Sequence, residues 1–417
     1  MKAFNFFSSI IFFLFILFPF GLKGQNDYPL DISYYDFIRY DKNKFVFPGD
    51  SSDFDRFFAK VDTLILNGDG KISIVHIGGS HIQADIYSGR TRERLQTFYP
   101  GMNGGRGSVF PFRISNTNNP RSYSANAIGA WTSCRNVDIN KSCNLGLSGI
   151  SAFTSDSSAE IEILLRPDSL IEYYFDRIRV FYSMDSISFI PDLDEVKVLN
   201  IEVDKELGFK MFYLDKEYKS FKLKFRKESQ AQIRFELYGI SLENDDPGII
   251  YHSIGINGAS FPSFLRCNLL EKHLIALQPD LVIISLGTND AYTTKFKPEF
   301  YKSNYEEMLG RIKKAAPMTA ILNTVANDSY LFKRYPNRNT QLAAEVIYQV
   351  AKDYNCGVWD LYEVMGGFNS SSLWRKQNLM VKDLIHFNPQ GYLLIGDLLF
   401  NAFIQSYDNH INSLIRN

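Results

Sequence analysis

Lys71-Ile72-Ser73-Ile74-Val75-His76-Ile77-Gly78-Gly79-Ser80 is the stretch on which the fold turns. A run dominated by Ile and Val that stops at two glycines has the pattern of a buried strand. A helical pattern follows through Gln83 to Phe98 and closes at Tyr99-Pro100-Gly101. Ser80 therefore falls where a strand hands over to a helix, the place where α/β folds put ligands and nucleophiles. On the other side, Ser51 or Ser52 stands as the cap of a helix running to about Leu66, and Asn67-Gly68-Asp69-Gly70 reads as the turn into the strand.

The same alternation returns far downstream. Pro279 to Leu286, Thr319 to Val325 and Gly357 to Leu361 read as strands, with helical patterns over Pro298 to Ala315 and Thr340 to Tyr354 between them. Pro389 opens a last helix, at the position where its missing N–H costs nothing. Strands alternating with helices predict a parallel sheet covered on both faces. From about Phe110 to Asp245 the helical period fades. Ala159 to Leu165, Arg177 to Tyr182, Phe221 to Phe225 and Gln232 to Tyr238 alternate apolar with charged residues, as antiparallel strands with one wet face do. Such strands predict a β-sandwich set into the α/β part. No internal repeat or low-complexity segment is present.

The chain has 417 residues, 45% hydrophobic and 22% charged, with 35 Phe and 24 Tyr. A length beyond what one compact domain usually needs makes two domains the expectation. With a net charge of -1 and no basic run, no nucleic-acid partner is expected. Near the start, Lys2 precedes an apolar run from Ile10 to Phe20 that Pro19 and Gly21 terminate. The run is shorter than the roughly 20 residues of a spanning helix, so it reads as a signal peptide over 1–24. The mature chain is expected to be periplasmic or secreted, with no stable membrane insertion after cleavage. Of the four cysteines, Cys134 and Cys143 lie close together as a candidate disulfide, whereas Cys267 and Cys356 sit in apolar patterns as buried thiols. No Cys-x-x-Cys or paired-His spacing suggests a metal, and no cofactor is expected.

Four short stretches carry candidate chemistry. Gly78-Gly79-Ser80-His81 allows a tight turn that brings a serine hydroxyl and N–H to the sheet edge. Gly287-Thr288-Asn289-Asp290 follows an apolar strand, and an Asn amide there can donate to a developing oxyanion. Ile254 to Ala259 is another glycine loop, in which the Gly258 N–H is a candidate second donor. Asp383-Leu384-Ile385-His386 spaces a carboxylate to accept from an imidazole Nδ1. Each has an ordinary reading as a turn or a cap when taken alone.

Taken in order, the four stretches resemble the blocks of the SGNH (GDSL-like) hydrolases, over about residues 65–105 and 250–405. The resemblance implies a flavodoxin-like three-layer α/β/α fold and a serine esterase. Ser80 would then be the nucleophile, His386 the general base and Asp383 its partner. The Ser80 N–H, the Gly258 N–H and the Asn289 amide would form the oxyanion hole. One departure stands out: the usual Gly-Asp-Ser has Gly79 where the family has Asp. Ser80-His81-Ile82-Gln83-Ala84-Asp85 and Gly101 to Gly107 resemble more narrowly the branch that includes bacterial peptidoglycan O-acetylesterases. That branch implies a carbohydrate-binding-module-like insert and an O-acetylated glycan or peptidoglycan as partner. The domains expected are 25–109 and 249–417 for the hydrolase and 110–248 for the insert. His81 and Arg106 are further candidates for touching substrate, each with a structural role as the alternative, and Trp131 is expected to pack. Two rivals remain at this level. One is an O-acetyltransferase, or an esterase acting on other glycans or lipids; the other is a glycan-binding surface protein with a decayed site.

Overall fold

The computed structural model describes residues 32–167 and 171–416. The expected signal peptide lies outside the described residues. The described residues form one compact unit.

Its centre is a six-stranded sheet of β1 (Phe45–Val46), β2 (Lys71–Gly78), β3 (Gly248–Gly255), β4 (Leu281–Ser285), β5 (Ala320–Val325) and β6 (Gly357–Asp360). The spatial order is β1-β6-β5-β4-β2-β3. All neighbours are parallel except β1, which pairs antiparallel with β6 at the edge. The five parallel strands thus run 2-1-3-4-5, the flavodoxin-like order expected, and the chain reverses its direction of winding between β2 and β4. Their burial explains the continuous apolar runs, because Ile72, Ile74, Val75, Ile77, Val282 and Ile284 are all at or below 1% exposure.

Helices cover both faces. On one, α1 (Ser52–Asn67) and α2, the helix Tyr87–Thr97, pack with α5 (Pro389–Arg416); on the other, α3 (Pro298–Ala315) packs with Leu270–Leu277 and with α4 (Asn339–Asp353). The single helix expected from Gln83 to Phe98 is broken into a four-residue turn, Ser80–Gln83, and α2. The break falls at Asp85, whose φ of 49° lies in the left-handed region that short polar side chains tolerate. Its carboxylate leaves the helix line to bind Arg92 and Arg106.

The β-rich segment forms two antiparallel sheets. Tyr123–Ile128, Glu160–Leu165, Ser220–Arg226 and Ile190–Asp194 make the four-stranded one. The larger sheet runs Val198–Asp204, Phe209–Tyr218, Phe175–Tyr182, Phe235–Glu243, Ile150–Thr154 and Thr132–Arg135, with Gly107–Val109 also on Phe235–Glu243. Phe221 against Phe175 and Phe225 against Phe235 join the two sheets, with ring centroids 5.5 and 4.2 Å apart. On the wet face of the smaller sheet Lys222 pairs with Glu162 at 3.2 Å and Glu195 at 2.8 Å, the charged half of the alternation. Trp131 packs on Phe225 and donates its indole N–H to Ile128 O. The apolar core runs unbroken from Val75 and Ile77 into these sheets.

Cys134, on the edge strand Thr132–Arg135, is bridged to Cys143, with Cα atoms 6.6 Å apart, while Cys267 and Cys356 are buried thiols. The bridge closes a short irregular connection that Arg266 also ties down through the carbonyls of Asn136, Asp138 and Lys141. Replacing both half-cystines with serine should cost about 2–3 kcal/mol by loop-closure entropy, read as a lower urea midpoint at unchanged slope.

Candidate active site

The site is assembled where β2, β3 and β4 end. Gly78 leaves β2 so tightly that an added Cβ would lie 2.3 Å from Ile82 Cγ1 and 2.9 Å from Ser285 O. Only glycine fits such an approach. Ser80 then opens the short turn whose Ile82 and Gln83 N–H groups bond Gly79 O. Gly255, at the end of β3, is as restricted, since its Cβ would meet Gln83 N at 2.2 Å. These two contacts press the nucleophile turn against the neighbouring strand end and its loop.

Ser80 and His386 are 306 positions apart in the chain, yet Ser80 Oγ lies 2.8 Å from His386 Nε2. His386 Nδ1 lies 2.8 Å from Asp383 Oδ2, and Asp383 Oδ1 accepts the N–H groups of Ile385 and His386, both at 2.9 Å. The carboxylate is thus held by its own turn. Leu384, between the two, has φ 56°, and its carbonyl accepts the Tyr330 N–H at 3.1 Å. Asn327 Nδ2 donates to Ile385 O at 3.0 Å, so the loop after β5 braces the triad turn. Burial pushes the Asp383 carboxyl up, but the N–H of His386, its ring and the N–H of Ile385 outweigh this and hold it below its ordinary value. An ionised partner fixes the imidazole with Nδ1 protonated and Nε2 facing the serine. The His386 side chain remains 37% exposed, open to a ligand.

Asn289 begins the turn after β4 and donates Nδ2 to Ala259 O at 2.9 Å. An amide has two N–H bonds, so one remains for a ligand. Gly258 sits at φ 84° in the loop after β3, where an added Cβ would meet only Val137 Cγ1, at 4.0 Å. Ser80, Gly258, Asn289 and His386 line one cleft of about 510 Å³ with Ala84, Asn118, Asn257, Thr288, Tyr292, Ile385 and Tyr392. Gly79 has its missing side chain facing this machinery: a Cβ there would lie 3.3 Å from Asn289 Nδ2. In this chain the Asn289 amide is held by the Ala259 carbonyl instead. Next to it, Asp290 accepts the Phe261 N–H at 3.1 Å, and burial pushes its carboxyl up to about 6.

Two candidates take other places. Arg106 is 1% exposed, paired with Asp85 and bonded to Ser108 O and Ser122 Oγ, so it meets no substrate. Its charge is taken up inside the protein. His81 turns beneath the cleft, where Nδ1 meets Tyr392 OH at 2.8 Å and its ring centroid is 5.1 Å from that of His386. Burial first, and the neighbouring His386 second, push its imidazole down to about 3, so it stays neutral beside the triad. His76, on β2, is buried between Tyr251 OH and Ser285 Oγ, at 2.6 Å from each.

Sequence reasoning missed Gln83, Thr117 and Asn118 as parts of the site. Gln83 Oε1 accepts the Asn257 N–H at 2.7 Å, and its Nε2 donates to Thr117 Oγ1 at 2.8 Å. Asn116-Thr117-Asn118-Asn119 reads as a polar turn, and nothing local marks it as a cleft wall.

The fold is shared with a solved protein. The chain superposes on a solved structure described as a peptidoglycan O-acetylesterase in action with a TM-score of 0.73, at 20% identity over 88% of this chain and 99% of that one. A lipase/acylhydrolase from Enterococcus faecalis, at 22% identity, covers 38% of this chain and 75% of its own with a TM-score of 0.30. A GDSL-like lipase from Bacteroides thetaiotaomicron, also at 22% identity, covers 39% and 76% with a TM-score of 0.29. No curated protein matches the chain. Residues 236–394 match the GDSL-like Lipase/Acylhydrolase family. That span holds Gly258, Asn289, Asp383 and His386, and Ser80 reaches them from the far side of the β-rich segment. By this match residues 236–394 are similar to the GDSL-like lipase/acylhydrolase family, and the chain is a carboxylic ester hydrolase.

Proposed function

We propose that this chain is an exported acetylesterase that removes O-acetyl groups from carbohydrate, with peptidoglycan the foremost substrate. The observation that carries the reading is the Ser80–His386–Asp383 relay, 2.8 Å at each link, opening into a cleft that also holds Gly258 and Asn289. His386 Nε2 takes the Ser80 proton as Oγ attacks the acetyl carbonyl. The Ser80 N–H, the Gly258 N–H and the second N–H of Asn289 receive the oxyanion. His386 returns the proton to the departing sugar oxygen, leaving an acetyl ester on Ser80. Water, deprotonated by His386, then releases acetate and restores the serine.

The glycan substrate and export rest on other support. A solved structure that matches 88% of this chain is described as a peptidoglycan O-acetylesterase. A signal-like run at the start and the Cys134–Cys143 bridge suit an oxidising compartment outside the cytoplasm. The same reading treats 110–248 as a module inserted into a hydrolase made of 25–109 and 249–417.

The test is acetate release from O-acetylated peptidoglycan by the mature chain, beside p-nitrophenyl acetate. Turnover of the small ester with none of the wall polymer would discard the peptidoglycan substrate and keep the esterase. Asn289→Ala removes one of three oxyanion donors, and kcat should fall on the order of 100- to 1000-fold with KM little changed.

A further inference from the structure

Beside the triad, the cleft wall is built by a polar loop that comes from the β-rich side of the molecule. Thr117 Oγ1 accepts from Gln83 Nε2 at 2.8 Å and from Asn257 Nδ2 at 2.9 Å. Asn118 Oδ1 accepts from Asn257 Nδ2 at 2.9 Å and from Gln83 Nε2 at 3.3 Å, and Asn118 O accepts from Gln83 Nε2 at 3.0 Å. Gln83 lies one turn beyond Ser80, and Asn257 immediately precedes Gly258. The loop is therefore fastened to the nucleophile turn and to the glycine loop at once.

The network also settles which way the Asn118 amide points. The Asn257 NH2 group lies 2.9 Å from one of its terminal atoms, and only an oxygen can accept from it. The other end must then be the Nδ2 group. Asn118 is exposed and lines the same cleft as Ser80, Gly258 and His386. Its donor is not needed to hold the loop, since Thr117 and the Asn118 carbonyls already engage Gln83 and Asn257. An amide donor held this firmly beside a nucleophile is placed to read an acceptor oxygen next to the ester.

We infer that Asn118 is the anchor of a sugar-recognition subsite, its Nδ2 donating to a hydroxyl or acetamido oxygen of the sugar that carries the acetyl group. This inference rests on the glycan-esterase reading above. The subsite binds the leaving-group side of the ester, so it acts on sugar esters and is idle with a small aryl acetate. Tyr292, which lines the cleft as well, supplies ring surface to pack against the sugar.

Asn118→Asp is the informative variant. Its carboxylate still accepts from Gln83 and Asn257, so the loop stays anchored, but the donor becomes an acceptor that repels the sugar oxygen. With the full mature chain, kcat/KM is measured on O-acetylated muropeptides and on p-nitrophenyl acetate for wild type, Asn118→Asp and Asn118→Ala. The expected result is a loss of about tenfold on the muropeptide for both variants, with the aryl ester changed less than about twofold in Asn118→Asp, which keeps the anchoring oxygen. Equal losses on both substrates would reduce Asn118 to a structural role and overturn the inference, and so would an Asn118→Asp enzyme that matches wild type on muropeptides. In either case wild-type muropeptide turnover leaves the glycan reading standing. A wild type that cleaves only the aryl ester, and no sugar ester, would remove both.

Discussion

Ser80→Ala should lower ester turnover by about a million-fold, down to what binding and the oxyanion donors alone provide. The size follows from the role proposed for Oγ, forming the bond to the acyl carbon: no other hydroxyl is placed 2.8 Å from His386 Nε2 among the described residues. Removing His386 should cost nearly as much, because a serine without its base is a poor nucleophile. The double variant Ser80→Ala/His386→Ala should be scarcely slower than either single one, since groups that act as a unit do not add. Asp383→Ala should cost less, about 10⁴-fold, as its role is to orient the ring and stabilise its charged form. The measurement is steady-state release of acetate and of p-nitrophenol, with circular dichroism to show that each variant is folded. A Ser80→Ala enzyme that kept more than about one part in a thousand of its activity would take the chemistry away from this triad.

Much of this site was legible before the fold was known, for a reason that lies in topology. In a parallel sheet every strand ends on the same side, so short polar blocks that follow apolar runs are gathered there wherever they fall in the sequence. That is how Ser80, Gly258 and Asn289 come to one cleft across the intervening β-rich segment. Asp383 and His386 needed only local geometry, a three-residue spacing bent by the left-handed Leu384. What escaped had long-range causes. Arg106 sits in a glycine-rich stretch that suggests exposure, and its burial is imposed by a carboxylate 21 positions away. The Asp85 break in the expected helix has the same origin. Asn118 joins the cleft only because Gln83 and Asn257 reach it from elements 35 and 139 positions away. In the sandwich, Val198–Asp204 and Phe209–Tyr218 were not read as strands: the first is an exposed edge strand with little burial to shape its pattern, and the second passes from buried to exposed along its length. The antiparallel edge strand Phe45–Val46 is two residues long, too short to carry any period.

The largest effect on stability should come from Asp85→Ala, a loss of at least about 3–5 kcal/mol. Asp85, Arg92 and Arg106 have side chains 1%, 0% and 1% exposed, so one carboxylate compensates two guanidinium groups out of contact with water. Arg92 binds it with both Nη atoms, at 3.0 and 3.1 Å, and Arg106 binds Oδ2, where Ser122 Oγ also donates. Arg92 reaches on to Tyr173 OH and Ser253 Oγ. The cluster thus joins the end of the nucleophile turn, α2, β3 and the β-rich segment. Deleting the anion leaves two buried cations unpaired, a larger cost than the net worth of the pairs themselves. Asp85→Ala/Arg106→Met should therefore recover part of the loss, and a urea-denaturation cycle with the two single variants measures how much. Acid provides a second readout. Burial would raise the Asp85 carboxyl, but Arg92 and Arg106 outweigh it and hold it far below the ordinary range. A depressed carboxylate contributes its full stability above its unfolded value of about 3.9 and loses it progressively as pH falls toward the folded one. Wild type should lose stability from about pH 4 downward, by up to about 1.4 kcal/mol per pH unit from this group, and Asp85→Asn should start lower and fall less steeply there. Parallel slopes for the two proteins below about pH 4 would place the acid sensitivity elsewhere. An Asp85→Ala protein with an unchanged urea midpoint would mean that the two arginines have found water or other partners, and that this cluster does not tie the nucleophile turn to the β-rich segment.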